Sequence, residues 1–157
     1  MNQDRFSMFN ARLHDVDEAI AFLNERGGDL LRSGPIESRG SSWQERWLNQ
    51  EWTRHILIRF REDQSIVAVA TMHVRYTWRR GIGMIEYVLA DEDHRGNGLG
   101  SALIDELIRQ ACEELSPQLD KLELLSEPEH PEARRLYRSR GFKLVEGSDR
   151  HFELSFS

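Results

Sequence analysis

A glycine-rich turn between a buried strand and an amphipathic helix is the part of this sequence best suited to chemistry. The strand ends in Val88-Leu89-Ala90, and the turn reads Arg95-Gly96-Asn97-Gly98-Leu99-Gly100-Ser101. Glycines let the backbone approach a ligand closely, and the first turn of the following helix offers unpaired N–H groups to an anion. Because Arg95 adds positive charge, this segment predicts a site for a pyrophosphate group.

Three known phosphate-binding sequence patterns can be compared with this turn, and the spacing of the glycines distinguishes between them. A Rossmann fingerprint needs Gly-x-Gly-x-x-Gly and an acidic ribose-binding residue on a following strand, and neither is found here. A P-loop ends in Gly-Lys followed by Ser or Thr, which is also absent. The pattern Arg-x-x-Gly-x-Gly is matched by Arg95, Gly98 and Gly100. The alternative is a turn that only connects a strand to a helix.

A second pattern, about thirty residues further on, completes a family resemblance. It reads His130-Pro131-Glu132-Ala133-Arg134-Arg135-Leu136-Tyr137-Arg138-Ser139-Arg140-Gly141-Phe142. Together with the turn, it resembles the two signatures of the GCN5-related N-acetyltransferase (GNAT) family. The resemblance covers residues 54–157 by sequence and the preceding part of the chain by order of elements. His130 departs from the family pattern, which often has asparagine there.

The resemblance implies an acetyl-CoA-dependent N-acetyltransferase (EC 2.3.1.-). It implies direct transfer of the acetyl group to a primary amine of a small molecule or peptide, with no covalent enzyme intermediate and no metal. Strand four would bind the pantetheine arm through its backbone, and the turn would bind the pyrophosphate. The residues expected to contact the cofactor are Val88, Leu89, Ala90, Arg95, Gly96, Asn97, Gly98, Leu99, Gly100, Ser101 and His130.

Two side chains are candidates for proton transfer. Glu86 is the only charged residue between Met84 and Ala90, and a carboxylate among apolar neighbours is expected to have a raised pKa, which suits a general base. The alternative is a glutamate that faces solvent. The resemblance makes Tyr137 the general acid, because a phenol with a pKa of about 10 can protonate a departing thiolate. Tyr137 could instead be a core aromatic residue.

The amine-binding end is less well defined by the sequence. Trp43 and Trp47 are at helical spacing, so they lie on one face of a short helix, while Trp52 and Trp78 lie further along the chain. The tryptophans either pack this helix onto a sheet or form an aromatic wall that favours a cationic amine. Glu37 and Glu45 could add negative charge there.

The elements that must position these residues follow from hydrophobic periodicity and from turn residues. The order β-α-α-β-β-β-α-β-α-β-β predicts an α+β (mixed α/β) fold. The resemblance implies a mostly antiparallel sheet of about seven strands, splayed between strands four and five and flanked by about four helices. The predicted strands are residues 8–13, 55–61, 66–76, 82–90, 121–125, 142–145 and 151–156. The predicted helices follow Asp15 and span 43–52, 99–115 and 131–140.

Length and composition restrict the classes of protein to consider. The chain has 157 residues and a net charge of −6, which favours a single domain and disfavours nucleic acid as a partner. The resemblance implies that residues 1–157 form one GNAT domain. One cysteine excludes an internal disulfide and fits a cytoplasmic protein. We expect no membrane segment, and the terminal strands could pair across a two-fold axis in a homodimer.

Two other functions remain open from the sequence. The chain could be a catalytically idle GNAT-fold module that binds or senses acyl-CoA, or an acyltransferase that uses a longer acyl donor. The presence of both Glu86 and Tyr137 speaks against the idle module, whereas a longer acyl donor would need room near Met84 and Tyr87.

Overall fold

The computed structural model describes residues 1–115 and 117–156 of the chain. The strands are β1 (Phe6–Asn10), β2 (Thr53–Phe60), β3 (Ile66–Tyr76), β4 (Gly81–Ala90), β5 (Lys121–Leu125), β6 (Lys143–Leu144) and β7 (His151–Ser155). The α-helices are α1 (Val16–Arg26), α2 (Ser41–Trp47), α3 (Leu99–Arg109) and α4 (Pro131–Ser139). Short 3₁₀ turns span Leu13–Asp15, Gly28–Leu31 and Glu92–His94, and a π-helical turn spans Gln110–Glu114.

The seven strands form one sheet in the order β1-β2-β3-β4-β5-β7-β6. Every neighbouring pair is antiparallel except β4 and β5, which run parallel with α3 in the connection between them. The predicted α+β fold with a mostly antiparallel sheet is therefore confirmed.

Different helices cover the two faces of the sheet. On the face that we call the α3 face, Leu103 and Leu107 of α3 belong to the main core, together with Leu122 of β5. On the opposite face, the α1 face, Phe22 of α1 packs in a smaller cluster with Val69 of β3. Because strand residues alternate between faces, β2 and β3 contribute to both layers, as Ile56 and Leu57 of β2 show.

The central parallel pair separates part-way along its length. Pairing between β4 and β5 begins at Ile82 and Lys121 and ends at Ile85 and Leu124, although β4 continues to Ala90. We call the point where the two strands part the fork. It confirms the predicted splay between strands four and five.

Three predicted elements end three or more residues away from the predicted limit, each for a physical reason. Strand β1 stops at Asn10 rather than at residue 13 because the chain turns toward Asp15, whose buried carboxylate accepts hydrogen bonds from the Arg12 N–H and the Arg59 guanidinium. Helix α2 ends at Trp47 rather than at residue 52, since the Thr53 hydroxyl and the His55 ring bind the Trp47 carbonyl.

The third difference lies at the end of α3. Its α-helical geometry ends at Arg109, and the predicted apolar stripe continues through the π-helical turn Gln110–Glu114. Leu115, at the end of the stripe, is buried, so the wider turn still delivers it to the core.

No helix among the described residues is long and apolar enough to span a bilayer.

We expect the Leu103→Ala variant to lower the free energy of unfolding by roughly 2–5 kcal/mol, because it leaves a cavity in the fully buried interface between α3 and the sheet. Urea denaturation at neutral pH measures this. Leu144→Ala removes the same side chain from β6, where it is 40% exposed, and should cost far less. Equal losses in the two variants would contradict this placement of the core.

Candidate active site

The fork opens into a cleft of about 1020 Å³. Its walls come from three segments that are far apart in the sequence: residues 25–33 at the end of α1 and just after it, residues 88–95 at the end of β4 and in the following turn, and residues 125–137 from the end of β5 into α4. Six of the predicted site residues line it, namely Val88, Leu89, Ala90, Arg95, His130 and Tyr137. Glu86 and residues 96–101 are not in this lining.

The glycine-rich turn has the geometry of an anion site beside this cleft. Gly96 and Gly98 have φ angles of 80° and 71°, which L-residues rarely adopt, and α3 begins immediately afterwards at Leu99. The Gly98 carbonyl accepts the first helical hydrogen bond, from the Ala102 N–H. The N–H groups of the first helical turn have no helical acceptors of their own, so they can bind an anion.

The side chains of the turn mainly make contacts within the protein, whereas its backbone N–H groups can bind an anion. The Asn97 amide donates to the carbonyls of His94 and Arg95 and so holds the turn closed. The Leu99 side chain is buried in the core, and Arg95 is paired with Glu92 at 3.0 Å. Of these residues, only Arg95 offers a charged side chain to an anion, and it would have to leave Glu92 to do so.

A β-bulge lies at the fork. The register of β3 and β4 shifts between Val69 and Thr71, so that Tyr87 and Val88 together oppose one residue of β3. Tyr87 has a φ angle of 52°, an unusual conformation for a non-glycine residue. A bulge bends a strand and redirects its side chains, and here it coincides with the loss of pairing to β5.

Glu86 is the first residue of β4 beyond the last pair with β5. Its carboxylate is 46% exposed and lies 3.0 Å from Nε2 of His73 on β3. The hydrogen bond from His73 lowers the pKa of Glu86 below its ordinary value and outweighs the opposing effect of partial burial. The expectation of a raised pKa is therefore wrong, because the cross-strand partner of the carboxylate was not foreseen.

Tyr137 lies on α4 at the opposite wall of the cleft and is 7% exposed. Its ring packs against Phe142 and Phe152, with centroid distances of 6.0 and 6.5 Å. Burial raises the pKa of Tyr137 to about 12. The phenol thus belongs to the core and lines the cleft at once, and it stays protonated across the physiological pH range.

A buried polar cluster next to Glu86 was missed by the sequence analysis. His55 of β2 lies opposite Thr71 of β3, which in turn lies opposite Glu86. The two ring nitrogens of His55 are 2.9 Å from the Thr71 hydroxyl and 2.8 Å from the Trp47 carbonyl, and the ring stacks on Trp47. Since a carbonyl only accepts, His55 Nε2 donates to Trp47 and Nδ1 accepts from Thr71. Burial lowers the pKa of His55 to about 4.

A second cavity of about 420 Å³ adjoins the cleft and shares Leu30 and Ser33 with it. Its walls include Glu37, Trp43 and Tyr87. Residues of the segment between α1 and α2 form most of this wall, and the Asn24 side chain fixes that segment by two hydrogen bonds to the backbone of Ile36.

The four tryptophans do not form one wall. Trp43 and Trp47 stack 6.1 Å apart, as their spacing predicts, and Trp43 lines the second cavity. The guanidinium of Arg39 lies 5.8 Å from the Trp43 ring centre. Trp52 is half-exposed and Trp78 is fully exposed at the β3–β4 turn. The predicted acidic residues also separate, since Glu37 lines the second cavity and Glu45 does not.

Comparison with known proteins agrees with this arrangement. A model of the Acetyltransferase (GNAT) family matches residues 17–142. The chain belongs to the GNAT acetyltransferase family. No curated protein matches the chain significantly.

Solved GNAT structures share the fold over nearly the whole chain. An acetyltransferase of the GNAT family from Streptococcus pneumoniae is 19% identical, with 96% of this chain and 99% of that chain covered at a TM-score of 0.70. Glucosamine-6-phosphate N-acetyltransferase from Arabidopsis thaliana is 18% identical, with 92% of this chain and 97% of that chain covered at a TM-score of 0.67. The spermidine/spermine N-acetyltransferase SpeG from Vibrio cholerae is 16% identical, with 97% and 94% covered at 0.69.

Within this GNAT fold, no group of three or more His, Cys, Asp or Glu side chains among the described residues is placed to hold a metal ion. Glu86 and His73 on the α1 face form a hydrogen-bonded pair beside the fork, and Tyr137 of α4 lines the cleft.

His55 should make this GNAT domain sensitive to acid. Its folded pKa of about 4 lies below the ordinary value of 6.5, so the folded state binds fewer protons than the unfolded state between these pH values. The corresponding stability is present above pH 6.5 and is lost as the pH falls toward 4, by about 3 kcal/mol. We expect His55→Gln to reduce this fall, measured as unfolding free energy in urea at pH 7 and pH 4.5. His14→Gln, at an exposed histidine, should leave the fall in unfolding free energy between these pH values unchanged. A fall in His55→Gln as large as in the wild type would contradict the role given to His55.

Proposed function

We propose that this GNAT protein is an acetyl-CoA-dependent N-acetyltransferase that transfers an acetyl group directly to a primary amine of a small molecule or peptide. The observation that carries the proposal is the fork: the free edge of β4 and Tyr137 line one cleft, and the glycine-rich turn lies beside it with Arg95 in the lining. The Glu86 carboxylate lies on the α1 face and the Tyr137 phenol on the α3 face. The transfer needs one group that removes a proton and one that returns a proton, and these two side chains suit those roles.

The cleft fits the two polar parts of coenzyme A. Val88, Leu89 and Ala90 lie beyond the last pair with β5, so one edge of this strand has backbone groups available for the amides of a pantetheine arm. The first-turn N–H groups of α3 suit a pyrophosphate. His130 lines the cleft at the start of α4, where its imidazole could contact the cofactor. Acetyl-CoA would supply an activated thioester.

The chain's own residues supply the proton transfers. Glu86, ionised at neutral pH, takes a proton from the incoming ammonium directly or through a water, which leaves a nucleophilic amine. A backbone N–H near the bulge stabilises the charge that develops on the carbonyl oxygen. Tyr137 donates its phenolic proton to the departing thiolate. Its raised pKa guarantees the protonated form but makes the donation harder than the ordinary value would.

The acceptor amine is proposed only as a class. The second cavity, with Glu37 and the apolar side chains of Trp43 and Tyr87, is the proposed amine site. Suitable probe amines are spermidine, glucosamine 6-phosphate and a short peptide with a free α-amine. Turnover of a longer acyl-CoA in preference to acetyl-CoA, or binding without turnover of any probe, would favour one of the two alternatives over the acetyltransferase.

The cofactor site can be tested by calorimetry. We expect acetyl-CoA to bind the wild type and to lose this binding in Gly98→Glu, because the new carboxylate would lie at the start of α3 and repel the pyrophosphate. Gly147→Glu is the matched control: Gly147 also has a positive φ, 79° against 71°, and lies in the β6–β7 turn. Loss of binding in both variants would indicate misfolding, and absence of binding in the wild type would refute the proposed function.

The general acid can be tested with Tyr137→Phe. This change removes only the hydroxyl and keeps the ring packed against Phe142 and Phe152. We expect kcat to fall by roughly 100-fold or more with little change in acetyl-CoA affinity, measured by thiol release and calorimetry. A normal kcat would remove Tyr137 from the mechanism.

A further inference from the structure

We propose that His73 is the positioning residue of the general base: its Nε2–H donates to one carboxylate oxygen of Glu86 and so aims the other oxygen at the fork. This inference rests on the proposed function and assigns a role to a residue outside both GNAT signatures. His73 is on β3, whereas both signatures and Glu86 lie later in the chain.

The sheet register fixes the contact. His73 is the direct cross-strand partner of Met84, and Thr71 is the partner of Glu86, so His73 and Glu86 are diagonal neighbours on the α1 face. Their side chains meet with Nε2 and Oε2 3.0 Å apart. Both are about half-exposed, 41% for His73 and 46% for Glu86, so the pair lies open to an incoming amine rather than inside the core.

One oxygen of Glu86 is occupied by this bond, and Oε1 remains to accept a proton. Without His73, the carboxylate of a half-exposed glutamate can rotate about its terminal bonds and present either oxygen in many directions. Since a misplacement of about 1 Å can cost roughly 100-fold in rate, a fixed orientation matters at this position. The proton taken by Glu86 forms an O–H bond at Oε1 as the N–H bond of the ammonium breaks, and it then leaves to solvent.

The other charged groups on this face, including Arg75 of β3, make no hydrogen bond or ion pair with Glu86 among the described residues. His55 of β2 stays neutral at physiological pH because burial lowers its pKa to about 4. On β5 and β7, Lys121 is paired with Glu123 at 2.5 Å and with Glu153 at 3.0 Å. His151 of β7 lies 3.8 Å from Glu123. These groups interact with one another, so the hydrogen bond from His73 is the main effect on the protonation of Glu86.

The test compares His73→Ala with His73→Gln, which keeps an N–H donor of similar reach. We expect His73→Ala to lower kcat/KM roughly 10- to 100-fold and to move the acid limb of its pH profile to higher pH, because Glu86 loses the bond that lowers its pKa. We expect His73→Gln to restore both toward wild type. The rates are measured with each of the three probe amines, and circular dichroism at each pH confirms that the protein is folded where His55 begins to titrate.

One control variant and the wild type itself distinguish the possible outcomes. His14→Ala, at an exposed histidine of the turn before α1, should leave the profile unchanged. An unmoved acid limb in His73→Ala, or a His73→Gln variant no better than His73→Ala, would overturn the positioning role. Failure of the proposed function would be seen in the wild type alone, as no acetyl-CoA binding and no turnover of any probe.

Discussion

The rest of this site depends on the point at which β4 and β5 stop pairing. A parallel pair that continued to Ala90 would bury the strand edge and close the cleft, whereas here pairing ends at Ile85. The bulge at Tyr87 bends β4 at the same place and gives the strand backbone groups without a partner strand. Such groups are costly when buried, so an open strand edge in the middle of a sheet is stable only if water or a ligand binds it.

In the proposed reaction, the fork would let groups from two faces of one sheet act together. Glu86 and its partner His73 lie on the face covered by α1, while Tyr137 packs in the core on the α3 face. A continuous sheet would keep these groups apart. Different physics shifts their pKa values: a hydrogen bond lowers the pKa of Glu86 and desolvation raises the pKa of Tyr137, and each shift favours the form that the group already has at neutral pH. Neither effect requires the two groups to touch.

The sequence predicts those features that depend on local pattern. Strands β3 and β5 have the predicted limits, and the glycine-rich turn and the proline at the start of α4 lie where spacing placed them. Features that depend on the register between distant strands escaped prediction. The contact of His73 with Glu86 requires a diagonal pairing between two strands, which leaves no mark in the sequence. The burial of His55 likewise depends on where α2 ends.

The way in which the segment between α1 and α2 is attached allows the second cavity to change without changes in the glycine-rich turn or β4. This segment forms most of the wall of the second cavity, and the Asn24 amide binds it through the backbone of Ile36, which does not depend on the identity of the Ile36 side chain. Glu37 and the residues around it can therefore be replaced while the loop keeps its path. The glycine-rich turn and β4 belong to other parts of the chain. If the second cavity is the amine site, as proposed, selection or directed evolution could alter its choice of amine through a few neighbouring codons, without redesign of the proposed cofactor site.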